Sequence, residues 1–172
     1  MIEKSGIDLK ALRQRATPAT RHLFGDFVPG RRFDHRFART LTEADNLLFT
    51  TLTLSYNPLY FDSTFASSRG HSSVVLHPML VFLTAFGLSV EDLSEVGGLL
   101  LAVDEVRFSR HSYPGDTLRA SSVVLEARDS QSHPEAGIVR WRTVGTDQRE
   151  EEVVEFQRTN LVLREAKDHG AR

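Results

Sequence analysis

The 172-residue chain contains no cysteine, which excludes disulfides, thiolate nucleophiles and zinc-thiolate centres together. It has no dominant charge: 21 Lys and Arg stand against 23 Asp and Glu, a formal net of -2. Nothing in the overall field therefore calls for nucleic acid or an anionic membrane surface. Long apolar runs are missing too, and the longest, near Met79 to Val90, is too short to cross a bilayer. Met1 to Arg15 carries scattered charge and no apolar core, unlike a secretory signal. We find no internal repeat, no low-complexity segment and no His/Asp/Glu spacing suited to a metal. These absences leave a small molecule or another subunit as partner, with no nucleic acid, membrane, metal or cofactor expected, and a cytoplasmic location.

What is present is ordinary globular composition, 40% hydrophobic and 26% charged, at a length that suits one domain. Residues 1–30 mix a possible short helix, Asp8 to Arg15, with Pro18, Gly25, Pro29 and Gly30, and read as an extension on the main domain. Its basic residues Lys4, Lys10, Arg13, Arg15, Arg21, Arg31 and Arg32 suit either a solvated face or substrate phosphates. Phe33 to Ala38 alternates as a half-buried strand does. Thr42-Glu43-Ala44-Asp45 has the form of a capping box and opens a helix with Leu47, Leu48, Thr51 and Leu52 on one face. Asn57-Pro58 ends it.

Asp62 to Ser68 reads as a short helical turn capped by Asp62, and Ser67 to Ser73 as a loop. Pro78 to Leu88 reads as a helix with proline at its first position. Its apolar residues occupy every side, so it is expected to be buried all round. Beyond it the period changes to two. Strands are expected near Leu99 to Asp104, over Thr117 to Ala127 and Gly137 to Gly145, and from Val153 to Leu163, with a turn at Tyr113-Pro114-Gly115-Asp116. Val139, Trp141 and Thr143 face one way, Arg140 and Arg142 the other. Glu150-Glu151-Glu152 reads as a solvated hairpin tip. A buried central helix followed by four antiparallel strands is an α+β arrangement in which a sheet wraps one helix.

Three segments at this order and spacing, Asn57-Pro58-Leu59-Tyr60-Phe61-Asp62, His77-Pro78-Met79-Leu80 and Tyr113-Pro114-Gly115-Asp116-Thr117-Leu118, resemble the MaoC-like branch of the hot-dog fold. Within that branch, Gly87 to Ser94, Arg128 to Pro134 and Gly137-Ile138-Val139 are similar to the mesaconyl-CoA hydratases, also called methylmalyl-CoA dehydratases. The resemblance implies a single hot-dog domain over 31–164, flanked by the extension 1–30 and a tail 165–172. It also implies a likeness to enzymes that add water reversibly to α,β-unsaturated acyl thioesters of coenzyme A or acyl carrier protein, with at least a homodimer as assembly.

The family pattern places an aspartate where this chain has Ser55, a histidine where it has Tyr60, and a glycine N-H where it has Pro78. Serine and tyrosine are weak bases at neutral pH, and proline has no N-H for an oxyanion. The expected catalytic residues are therefore Tyr60 and His77 for proton movement, with Ser55 holding water. Asn57 and Met79 are the expected substrate contacts. Each has a structural alternative: Tyr60 as a filling aromatic, Ser55 bonding backbone, Asn57 as turn chemistry, His77 as a helix cap. Asp62 suits capping better than catalysis. His71 lies on a loop placed to cover a pocket mouth. A hot-dog thioesterase and a non-catalytic thioester-binding or partner subunit are the alternative functions.

Overall fold

The computed structural model describes residues 22–95 and 98–165. The helix expected over Asp8 to Arg15 lies outside them. Among the described residues six strands, all paired antiparallel, follow or flank four α-helices. Strands β1 (Arg32–Asp34) and β2 (Arg39–Thr40) precede helices α1 (Glu43–Leu52), α2 (Ser63–Ser68), α3 (Pro78–Leu88) and α4 (Val90–Leu93); then come β3 (Leu99–Phe108), β4 (Thr117–Asp129), β5 (Ala136–Thr146) and β6 (Glu152–Leu163). The sheet order is β1-β4-β5-β6-β3, with β2 also on β4. Helix α3 lies across the inner face of this sheet.

Local chemistry sets the element ends as expected. The Asp45 N-H donates to Thr42 Oγ1 at 3.2 Å while the Thr42 N-H donates to Asp45 Oδ2 at 2.8 Å, a complete capping box. Asp62 Oδ1 accepts from the Phe65 N-H at 3.0 Å and opens α2. Pro78 is the first residue of α3. In the β3–β4 turn the Asp116 N-H reaches the Tyr113 carbonyl at 3.0 Å, with Gly115 at φ 98°. Where one strand is expected over Phe33 to Ala38, the chain makes two short ones, because Phe33 and His35 turn inward and Phe37 is left exposed.

Two apolar clusters fill the interior. Val81, Phe82 and Ala85 of α3 pack on Leu118, Val153, Val154 and Phe156, together with Leu41 and Leu76. Phe27 and Phe33 pack on Leu93, Val124, Val139, Trp141 and Val162. Helix and sheet approach closely at Gly145, where an added Cβ would stand 3.0 Å from that of Ala85. Strand β5 alternates as expected, with Val139, Trp141 and Thr143 inside and Arg140 and Arg142 outside.

One expectation is corrected. Helix α3 is not buried all round: Met79 and Leu83 are exposed, because the sheet covers one side only. The leucine face of α1 also points outward, with Leu47, Leu48 and Leu52 exposed, and the residues it buries are Asn46 and Thr50. Strand β3 pairs only with β6 and exposes apolar side chains of both faces, Leu99, Leu100, Leu101, Val106 and Phe108. No helix among the described residues is long and apolar enough to cross a membrane.

Candidate functional site

The site begins with a residue on no expected list. Asn46 is fully buried, 0% exposed, and its amide uses both ends. Nδ2 donates to the carbonyls of Tyr60 at 2.7 Å and Val75 at 3.0 Å, while Oδ1 accepts the His77 backbone N-H at 2.7 Å. One side chain thus joins α1 to the segment that carries Tyr60 and to the start of α3. The only sequence signal for it is a single amide beside a leucine face, which reads as surface.

Ser55 reaches the site through a strained residue. Leu54 adopts φ 56°, the left-handed region that costs a non-glycine residue about 1–2 kcal/mol. This sharp reversal lets the Ser55 N-H return to the Thr50 carbonyl at 2.9 Å. Ser55 Oγ then lies 2.9 Å from His77 Nε2.

The tautomer of His77 follows from its other nitrogen. Nδ1 accepts the Met79 N-H at 3.1 Å, so in the neutral ring the proton sits on Nε2 and is donated to Ser55 Oγ. Desolvation holds the His77 pKa below the ordinary histidine value, which keeps it neutral at pH 7. Ser55 therefore accepts from His77 and retains its own hydroxyl proton for another acceptor.

The same contacts consume the opening of α3. The Met79 N-H goes to the His77 ring, the Leu80 and Val81 N-H groups go to the His77 carbonyl at 2.9 and 3.2 Å, and Pro78 has none. No backbone donor of this first turn is left for an oxyanion.

The ring of Tyr60 lies 4.6 Å from that of His77. Tyr60 and Pro78 line a cavity of about 490 Å³. It is also lined by the apolar Leu59, Val75, Leu76 and Val81 and by the segment Phe108 to Ser112 at the end of β3. Ser55, Tyr60 and His77 are thus brought together across 22 residues of sequence.

Asn57 and Met79 stand apart from this group. Asn57 is exposed, and its Oδ1 caps the turn Pro58–Tyr60 by accepting the Leu59 N-H at 3.1 Å. Met79 is exposed on the outer face of α3 and contributes its backbone N-H to His77. His71 shares a 3.0 Å hydrogen bond with Tyr113 Oη and meets the ring of His111 edge-on at 5.1 Å, and His111 lines the cavity. Among the described residues no three His, Asp or Glu side chains converge as a metal site requires.

Known proteins share this architecture. The family model described as mesaconyl-CoA hydratase matches residues 7–171. A mesaconyl-CoA hydratase of Haloarcula hispanica is 34% identical over 154 residues, which cover 87% of this chain and 43% of that protein. Among solved structures, a MaoC domain protein dehydratase from Chloroflexus aurantiacus superposes with a TM-score of 0.78 at 32% identity, over 90% of this chain and 44% of that one. A Mycobacterium tuberculosis protein with a double hotdog fold gives a TM-score of 0.76 at 23% identity, over 87% of this chain and 46% of that one. The chain spans less than half the length of each of these relatives. The antiparallel sheet wrapped on α3 is a hot-dog fold, and the chain belongs to the mesaconyl-CoA hydratase family.

Proposed function

We propose that this chain is a hydro-lyase that adds water reversibly across the double bond of an enoyl thioester carried by coenzyme A or acyl carrier protein. The observation that carries this reading is the Ser55–His77 hydrogen bond with the His77 ring beside that of Tyr60, which lines the cavity, in a chain of this family. Tyr60 donates its phenol hydrogen to the thioester oxygen and stabilises enolate-like charge, the task for which the first turn of α3 has no free donor. Ser55, positioned by the His77 Nε2-H, accepts a proton from water as it releases its own hydroxyl proton to Cα. The π bond breaks, C-O and C-H bonds form, and the protons balance without a further co-reactant.

In the same reading the hot-dog unit runs over 31–164, with Phe24 and Phe27 of the extension packed on it, and the protein works in the cytoplasm. The exposed apolar residues of β3, its open edge, and the exposed Met79 and Leu83 are covered by a second copy of the chain. The half-length match to a double hotdog protein supports that pairing. Incubation with mesaconyl-CoA and crotonyl-CoA tests the reading: Tyr60→Phe and Ser55→Ala are each expected to lower turnover about 10²–10³-fold. Thiol release would make the chain a thioesterase. Thioester binding without turnover would make it a non-catalytic subunit.

A further inference from the structure

Helix α1 supplies the site with more than Asn46. Its next turn carries Phe49, half-buried, whose ring lies 5.0 Å from that of His77 at an interplanar angle of 47°. The imidazole thus contacts two aromatic rings, those of Phe49 and Tyr60. Tyr60 lines the cavity of about 490 Å³, whereas Phe49 lines a second one of about 590 Å³ with Phe37, Leu80 and Thr84. His77 belongs to the lining of neither. The second cavity reaches solvent, since Phe37 in its lining is 50% exposed. Removing the Phe49 ring would extend that space to the imidazole, because the side chain that forms the wall is the one that makes the ring contact.

A dry His77 serves both of its nitrogens. Nδ1 accepts the Met79 N-H, and the Nε2 proton goes to Ser55. A second proton would put an N-H on Nδ1 facing the Met79 N-H, donor against donor. It would also set a cation beside the Ser55 oxygen that has to take a proton from water. Desolvation is what holds the His77 pKa down. Helix α3 carries no charged residue, and on α1 Glu43 is exposed and Asp45 is engaged by Thr42 and Arg39. The titratable group in ring contact is Tyr60.

We infer that Phe49 is a positioning residue for the proposed hydration, its ring sealing the His77 imidazole from the second cavity and so holding it in the orientation that serves Ser55. The inference rests on the Ser55–His77–Tyr60 reading, and a readout independent of turnover separates the two. His77 is titrated by NMR in the full chain labelled at its histidine nitrogens, its resonances assigned by their loss in His77→Gln. Wild type, Phe49→Ala and Phe49→Leu are compared, beside the pH profile of mesaconyl-CoA hydration. Phe49→Ala should raise the His77 midpoint and carry the acid limb of kcat upward with it, leaving turnover at about pH 6 about tenfold lower, as loss of one hydrogen bond at a reacting group does. Phe49→Leu, which refills the space without a ring, should restore both.

An unchanged His77 midpoint in Phe49→Ala would overturn the seal. So would one that falls, the result expected if the ring face mainly attracts the imidazolium. A wild-type midpoint at or above the ordinary histidine value would overturn it even if Phe49→Ala fails to fold. A midpoint that rises in a chain without turnover would instead overturn the hydration and leave the seal standing.

Discussion

Asn46 is the residue whose replacement should disturb this protein most per atom changed. Asn46→Ala removes three hydrogen bonds at once, to Tyr60, Val75 and His77, and leaves two carbonyls and one N-H buried around a cavity. At about 1 kcal/mol net for each bond, the loss is about 3 kcal/mol, and it grows if the freed groups stay dry. Asn46→Asp keeps the shape and tests the reasoning more sharply. One carboxylate oxygen still accepts from the His77 N-H, but the other faces two carbonyl oxygens that had been receiving N-H donors. Repulsion should make this variant at least as unstable as Asn46→Ala at pH 7. Protonation restores one donor, so the aspartic acid has a raised folded-state pKa, and stability relative to wild type should recover as pH falls toward that of an ordinary carboxyl. Urea unfolding followed by circular dichroism from pH 7 to 4.5 measures both effects. An Asn46→Asp variant as stable as wild type at pH 7, or one whose deficit widens on acidification, would refute the donor assignment.

The remaining predictions concern other strained or buried groups. Leu54→Gly relieves the φ of 56° at an exposed position and should raise stability by about 1 kcal/mol while leaving turnover intact; a lower melting temperature would show that the leucine is not strained. His35 is buried, with Nδ1 2.6 Å from Asp92 and Nε2 2.8 Å from Ser122. Burial lowers its pKa against the opposing pull of the Asp92 hydrogen bond. Its contribution is therefore complete above the unfolded-state value near pH 6.5 and is lost as pH falls toward the lower folded-state pKa, at no more than about 1.4 kcal/mol per pH unit. His77 acts with the same sign. Wild type should weaken below pH 6.5, and His35→Gln should flatten the curve; a wild type that strengthens on acidification would mean that Asp92 outweighs desolvation. Arg158, 0% exposed, has no partner for Nε and Nη1 and sits over Phe86 and Trp141 with its pKa lowered by burial to about 10. Arg158→Met should stabilise the fold by about 1–4 kcal/mol, and a loss measured by denaturant unfolding would show that the cation is needed.

Features governed by neighbouring residues were legible in the chain: the capping box at Thr42 and Asp45, the Asp62 cap, Pro78 at a helix start and the turn at Gly115 each depend on contacts a few residues apart. The hot-dog architecture was legible because a helix-to-strand change of period and three spaced segments agree. Faces were harder. The leucines of α1 obey helical spacing, yet periodicity says only that a face is apolar, not which surface covers it. Asn46 and Arg158 are buried polar residues whose partners lie 14 to 69 positions away, and no local pattern announces such a partner. Ser55 and His77 were each readable as candidates, whereas the bond between them, and the direction in which it donates, required the fold. His111 escaped notice because it stands far along the chain from Ser55, Tyr60 and His77 and reaches the cavity only by the path of β3.

We propose that Tyr60 and the Ser55–His77 pair hydrate an enoyl thioester. The most direct measurement is mass spectrometry of mesaconyl-CoA incubated with the purified chain, beside Tyr60→Phe and Ser55→Ala. A product one water heavier with its thioester intact is expected from the wild type and should be nearly absent with either variant. Free coenzyme A as the product, unchanged substrate at high enzyme concentration, or hydration that survives both substitutions would contradict it.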